Sequence, residues 1–127
     1  MSDISDSNVI SALRRQMTIA VARQVAAAGN LANVDTPGYK AKEVTFDDTL
    51  KNKLKPVNST FGAKSSAAID PEITVKEQDG PVRRDGNNVQ LDRELLTMNR
   101  AASDFAAAQT ALAAKFRLVR YAINEAK

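Results

Sequence analysis

The side chains that most often carry out chemistry in proteins are missing from this sequence. None of its 127 residues is cysteine, histidine or tryptophan, which excludes thiolate nucleophiles, histidine bases, Cys/His zinc sites and disulfides. Carboxylates, lysines, two tyrosines and hydroxyls remain. The acids Glu43, Asp47 and Asp48 lie near one another, but none has a candidate partner that could act as a catalytic base. This is typical of solvated surface. We therefore predict a protein that is not an enzyme and has no catalytic residues.

The sequence also gives no sign of a metal, a cofactor or a nucleic acid. Asp85-Gly86-Asn87-Asn88 lacks the alternating oxygen ligands of a calcium loop, and no glycine-rich phosphate loop follows a predicted strand. The net charge of +3 arises from 18 basic and 15 acidic residues that are interspersed, whereas nucleic-acid binders concentrate charge on one face. We expect no secretory signal, and no apolar run is long enough for direct membrane insertion.

The most distinctive residues lie where the first predicted helix ends, in the segment NLANVDTPGYKAKEVTF from Asn30 to Phe46. Thr36-Pro37-Gly38-Tyr39 suits a type II turn, because proline sets φ at the second position and glycine supplies the positive φ of the third. The amides of Asn30 and Asn33, just before the turn, can satisfy backbone groups at the helix end. We interpret the segment as a helix stop with a fixed exit direction and a docking corner at Tyr39.

This segment closely resembles the N-terminal signature of the bacterial flagellar rod and hook family. That signature reads Asn, an apolar residue, Ala, Asn, two variable residues, Thr-Pro-Gly-Tyr and a base. A second stretch, DGNNVQLDRELLTM from Asp85 to Met98, precedes a helix that ends in KFRLVRYAI from Lys115 to Ile123. These two stretches are similar to a proximal-rod member of the family. The resemblance covers roughly residues 5–46 and 80–124.

The resemblance implies a structural subunit of the flagellar basal body, in the rod that crosses the periplasmic space. Such proteins leave the cytoplasm through the flagellar type III export apparatus without a cleaved signal, and their terminal helices pair and stack into a tube. The implied partners are copies of itself, other rod proteins and the adaptor protein FliE beside the MS ring. The assembly residues would be Asn30, Asn33, Thr36, Pro37, Gly38, Tyr39, Asp85, Gly86, Asn87 and Asn88. A generic coiled-coil adaptor stays open as an alternative, although it would leave both turn motifs unexplained.

Two long helices must position these motifs. Apolar residues recur in steps of three and four near both ends of the chain, which is typical of a coiled-coil seam. The predicted N-terminal seam is Ile10, Leu13, Met17, Val21, Gln24, Ala28 and Leu31. The predicted C-terminal seam is Leu91, Leu95, Met98, Ala102, Phe105, Gln109, Leu112, Phe116, Val119 and Ile123.

Each seam has one polar interruption, and these two residues suggest a register. Setting Gln24 opposite Gln109 in an antiparallel pair brings Met17 to Phe116 and places small residues against large ones. The alternative is that each glutamine is simply tolerated at its own position.

The predicted fold is mainly α, with long N- and C-terminal helices that pair as an antiparallel coiled coil. Residues 1–33 and 91–127 supply the helices, and residues 34–90 form an irregular, partly β middle segment. In that segment we predict a short helix over 45–54, a mobile loop over 55–68 and a small hairpin or extended segment over 72–91. Because the seams are rich in alanine, we expect the isolated chain to be marginally stable.

Overall fold

Two antiparallel helices with a two-stranded sheet beside them make up the described part of the chain. The computed structural model describes residues 6–46 and 73–126. Along the chain, the elements are α1 (Asp6–Ala32), β1 (Lys42–Phe46), β2 (Ile73–Glu77) and α2 (Leu91–Glu125). The predicted fold class is confirmed: the chain is mainly helical, its long terminal helices pack together, and the middle is partly β. Neither described helix is long and apolar enough to cross a membrane.

Three side-chain contacts join α1 to α2 along their length. They run from Asn30 to Glu94, from Arg23 to Asp104, and from Asp6 to Lys115. The α1 residues of these contacts fall in number from 30 to 6 while their α2 partners rise from 94 to 115. The two helices therefore run antiparallel, as predicted.

The predicted register of this helix pair was wrong. It placed Asn30 opposite Ser103, nine residues along α2 from Glu94, whose Oε2 accepts a hydrogen bond from Asn30 at 3.0 Å. The two glutamines do not interrupt a shared seam, since Gln109 is exposed and Gln24 is half-buried.

Of the five buried hydrophobic residues on the two described helices, four are alanine and one is Ile19. Ala20 and Ala27 on α1 and Ala101 and Ala108 on α2 are at most 4% exposed. Other predicted seam residues flank these alanines and are half-buried: Ile10, Leu13, Met17, Gln24, Leu31, Met98, Phe105 and Leu112. The rest of the predicted seam is exposed, namely Val21, Ala28, Leu91, Leu95, Ala102, Gln109, Phe116, Val119 and Ile123.

The difference has a physical reason. Alanine every seven residues presents a flat stripe on each helix, so the two backbones can approach closely and the longer side chains pack at the edges. In the predicted seams, Val21, Ala28, Ala102 and Gln109 each stood one residue after the alanine that is buried. The buried face of each helix is therefore rotated by one residue from the predicted seam, towards the alanines.

The sheet pairs β1 with β2 in an antiparallel register that runs from Lys42 opposite Glu77 to Phe46 opposite Ile73. Of the two alternatives predicted for 72–91, a small hairpin or an extended segment, the described residues favour the second: β2 is extended, and it pairs with β1, which follows the Thr36–Tyr39 turn, rather than within its own range. Of the predicted helix over 45–54, the described residues Thr45 and Phe46 are strand. The rest of that range and the predicted loop over 55–68 lie outside the described residues.

Candidate functional site

The two turn motifs, far apart in the sequence, bind each other in the fold. The Gly38 N–H donates to the Asp85 carbonyl at 2.8 Å, and the Asn88 N–H donates to the Tyr39 carbonyl at 3.4 Å. Lys40 Nζ donates to the Gly86 carbonyl at 3.1 Å. We call this region, residues 30–41 and 83–89 with Glu94, the motif junction. Both motifs were recognised in the sequence, but nothing in the sequence indicated that they contact each other.

The predicted type II turn is present. The Tyr39 N–H donates to the Thr36 carbonyl at 3.2 Å, and Gly38 has a φ of 74°. Gly86 also has a positive φ, 85°, and a Cβ at that position would lie 3.3 Å from the Gly38 backbone. Glycine at 86 therefore serves both a left-handed backbone and a close approach of the two loops.

Asn30 connects the end of α1 to three other parts of the fold. Its side chain is fully buried. Nδ2 donates to the Lys42 carbonyl at 2.8 Å and to Glu94 Oε2 at 3.0 Å. Oδ1 accepts from the Lys42 N–H at 2.8 Å and from the Tyr39 hydroxyl at 3.2 Å. The amide thus bonds to the edge of β1 as a neighbouring strand would, and it also fixes the turn and α2.

Asn87 binds the loop that follows α1. Its fully buried Nδ2 lies 2.8, 3.1 and 2.9 Å from the carbonyl oxygens of Asn33, Val34 and Thr36. The Asn33 and Thr36 carbonyls also accept from the Thr36 and Tyr39 N–H groups, so an amide from the second motif adds to the bonds that hold the turn of the first. Asn87 Oδ1 accepts from the Val89 N–H at 2.7 Å.

Asn88 joins the junction to the start of the sheet. Its Oδ1 accepts from the Ala41 N–H at 2.6 Å, and its Nδ2 donates to the Gln78 carbonyl at 2.8 Å. Ala41 and Gln78 are themselves paired, since the Gln78 N–H donates to the Ala41 carbonyl at 2.7 Å. The Asn88 amide therefore holds together the residue before β1 and the residue after β2.

The remaining motif residues support the turn locally. Asn33 Nδ2 donates to the Gly29 carbonyl at 2.8 Å and Thr36 Oγ1 donates to Asn33 Oδ1 at 3.1 Å, so asparagine satisfies the helix end as predicted. Asp85 Oδ1 accepts from the Asn87 N–H at 3.0 Å. Thr36, Pro37 and Gly38 are exposed.

Glu94 is a member of the junction that the sequence did not predict. Its side chain is 1% exposed, and Oε1 has no hydrogen-bond partner among the described residues. The available signal was its spacing, because Glu94, Ala101 and Ala108 recur every seven residues on the buried face of α2. Because we assigned the predicted seam from apolar residues, a buried glutamate such as Glu94 was left out of it.

The chemistry that this arrangement supports is positioning. Its bonds involve side-chain amides, two hydroxyls, one ammonium group, two carboxylates and the backbone, and they hold the two motifs, α2 and the sheet in place. Within the described residues, no group of three or more acids could hold a metal ion.

The arrangement can be compared with known proteins. No protein-family model matches the sequence. The flagellar basal body rod protein FlgB of Escherichia coli (strain K12) is 33% identical over 100 residues, which cover 66% of this chain and 72% of that protein. This chain belongs to the FlgB family. The FlgB protein of Bacillus subtilis (strain 168) is 26% identical over 125 residues, which cover 95% of this chain and 97% of that protein. The family expected from the two motifs is thereby confirmed.

Proposed function

We propose that the chain is a structural, non-catalytic subunit of the bacterial flagellar rod, placed in its proximal part. Membership in the FlgB family supports a structural role in the flagellar basal body rod. Assembly by helix packing is the finer part of the proposal, and one observation carries it: large apolar side chains remain on the outer faces of both helices.

These outer side chains lie away from the alanine interface. The most exposed of them are Val25 at 67%, Leu118 at 63%, Ile123 at 60% and Tyr121 at 59%. Contiguous exposed apolar surface marks sites of protein association. A subunit in an open helical assembly needs such surface on more than one side, because each copy contacts different neighbours through different patches.

The C-terminal end of α2 supplies much of this surface. Lys115 contacts Asp6, the first described residue of α1, and we call the residues beyond that contact, Phe116–Glu125, the overhang. Every residue of the overhang is exposed. Phe116, Val119 and Ile123 follow steps of three and four, so they lie on one face, where a helix of an adjoining subunit can pack.

In this proposal the motif junction sets the direction in which the sheet leaves the helix pair. Asn30, Asn87 and Asn88 are at most 5% exposed and bond within the chain, so they orient the segment rather than touch a neighbour. Among the predicted assembly residues, the exposed ones are available to adjoining subunits: Thr36, Pro37, Gly38 and Asp85. The Tyr39 hydroxyl donates to Asn30 within the chain, so any contact of the predicted docking corner with a neighbour would use the rest of the half-buried Tyr39 ring.

The proposed partners are copies of this chain, the other rod proteins and the adaptor FliE. We also propose that the chain reaches the periplasmic space through the flagellar type III apparatus, unfolded and without a cleaved signal. The modest core supports this route, because five of the eight buried hydrophobic residues in the described part are alanine. Such a core releases little free energy on folding and opposes unfolding weakly.

Electron microscopy of basal bodies from a host strain that lacks this gene tests the proposal, together with a swimming assay. We expect ring structures without a rod, no swimming, and recovery of both when the gene is restored. Normal rods and normal swimming in the deletion strain would contradict a rod function.

A further inference from the structure

A groove of about 500 Å³ lies between α1, α2 and β1. Alanines of the helix interface and the buried side chain of Val44 line its apolar part. Four basic side chains also line it, namely Arg23, Lys42, Arg93 and Arg100. We call this feature the basic groove.

Most of the positive charge in the basic groove lacks a carboxylate partner among the described residues. Arg23 lies 4.0 Å from Asp104, and its guanidinium carbon is 5.1 Å from the centre of the Phe46 ring. For the other three bases, the described residues provide no carboxylate within 4 Å. Cations gathered in a concave site repel each other and raise the local potential, which favours an anionic occupant.

The α2 wall of the groove has a regular pattern. Arg93 and Arg100 are seven residues apart, so they lie on the same side of the helix at a spacing of roughly 10 Å. Leu96 lies between them and is 52% exposed. This wall therefore presents a base, an apolar side chain and a second base in a row, and Lys42 faces it from β1.

We propose that the basic groove binds an acidic segment of an adjoining rod subunit. The matching segment has two carboxylates about two helical turns apart with an apolar residue between them, so that each acid meets a base and the apolar residue covers Leu96. Glu43 and Asp104, which also line the groove, interrupt its positive charge and disfavour a continuous phosphate backbone. The inference rests on the proposed rod function and names a contact within it.

Photocrosslinking in purified basal bodies tests the proposal. The crosslinking amino acid is placed at Thr97, which lines the groove, and as a control at Ala106, which is exposed and lies on the opposite side of α2. Mass spectrometry then identifies the crosslinked peptide. From Thr97 we expect a peptide of another rod subunit with at least two acidic residues within one stretch of about two helical turns, and we expect that peptide to be absent from Ala106.

Charge reversal distinguishes an electrostatic contact from simple proximity. Arg93→Glu with Arg100→Glu should lower the Thr97 crosslink yield about tenfold or more, since two attractive pairs become repulsive. The neutral pair Arg93→Gln with Arg100→Gln should lower it by a smaller factor and serves if the reversed variant does not assemble. The control is Arg14→Glu, an exposed base outside both the groove and the motif junction, which should leave the yield within about twofold.

Several results would overturn the proposal. Crosslinks from Thr97 that stay within the same chain, that reach a segment without acids, or that persist in both the reversed and the neutral variants would each reject the acidic partner. In those cases the chain is still found in basal bodies, so the rod function stands. Absence of the wild-type chain from basal bodies would reject both proposals.

Discussion

At the scale of single residues, the Asn30 side chain bonds to the turn, to β1 and to α2 through both of its polar atoms. Asn30→Ala would leave the Lys42 backbone groups and the buried Glu94 carboxylate without these bonds. Because an unsatisfied buried group costs about 1–3 kcal/mol, we expect the free energy of unfolding to fall by about 3–5 kcal/mol. Urea unfolding followed by far-UV circular dichroism measures the change.

The control for this variant is Asn99→Ala, at an exposed position of α2 for which no side-chain bond is described. Its free energy of unfolding should stay within about 0.5 kcal/mol of wild type. Equal unfolding midpoints for the two variants would show that the Asn30 amide does not join these elements.

Gly38 is required for its backbone conformation rather than for space. Its φ is 74°, and a Cβ added there would meet no atom within 4 Å. Gly38→Val should therefore cost about 1–2 kcal/mol or more of unfolding free energy through the left-handed backbone alone, whereas Gly38→Asn should cost less, because asparagine tolerates that conformation. Thermal unfolding measures this order, and in the host we expect Gly38→Val to reduce swimming while protein levels stay normal. If Gly38→Val swam as well as Gly38→Asn and unfolded at the same temperature, the prediction would be contradicted.

The residues of the turn could be predicted from the sequence because proline and glycine act through their own backbone. The same holds for Asn33, which bonds to Gly29 within its own helix. The partners of Asn30 and Asn87 could not be predicted, since they lie up to 64 residues away. An isolated asparagine shows only that its amide needs partners, and the sequence does not say which backbone will supply them.

At the scale of elements, the alanine stripe makes the register of the helix pair testable. Ala101 is 1% exposed at the interface with α1, whereas the next residue, Ala102, is exposed. Ala101→Leu should lower the unfolding free energy by about 1–3 kcal/mol, because the larger side chain forces the helices apart. Ala102→Leu should change it by no more than about 0.5 kcal/mol. Both variants add the same side chain to one helix, so chemical denaturation compares them directly, and the reverse order would support the seam that apolar spacing predicts.

The existence of both helices could be predicted from apolar periodicity, but their mutual register could not. Large apolar residues at steps of three and four mark two possible faces on each helix, and in this chain one face packs within the fold while Val21, Phe116 and Ile123 stay exposed. Sequence periodicity does not distinguish an apolar side chain that packs within the chain from one that stays exposed on the surface. The pairing of β1 with β2 was missed for a related reason, since a strand's partner is a property of the whole fold.

At the scale of the whole molecule, burial is concentrated near the motif junction and declines towards the other end of the helices. Asn30, Asn87 and Glu94 are at most 1% exposed, whereas every residue of the overhang is exposed. Helix hydrogen bonds without tertiary packing open easily. We therefore expect such a subunit to be most ordered where its two motifs meet, and to gain order elsewhere when neighbours cover its apolar faces.

Hydrogen exchange of the isolated chain should follow this gradient. We expect the slowest amide exchange between Ala20 and Asn30 and between Glu94 and Ala108, where the buried stripe and the junction cover the helices. In the overhang, exchange should be faster by at least about tenfold, because opening the last turns of α2 exposes no buried side chain. Mass spectrometry of deuterium uptake over time measures both regions in one sample, so the junction serves as the internal reference. Uniform protection of α2 through Glu125 would show that the overhang is already held in the isolated chain, and its proposed role as a surface for adjoining subunits would fail.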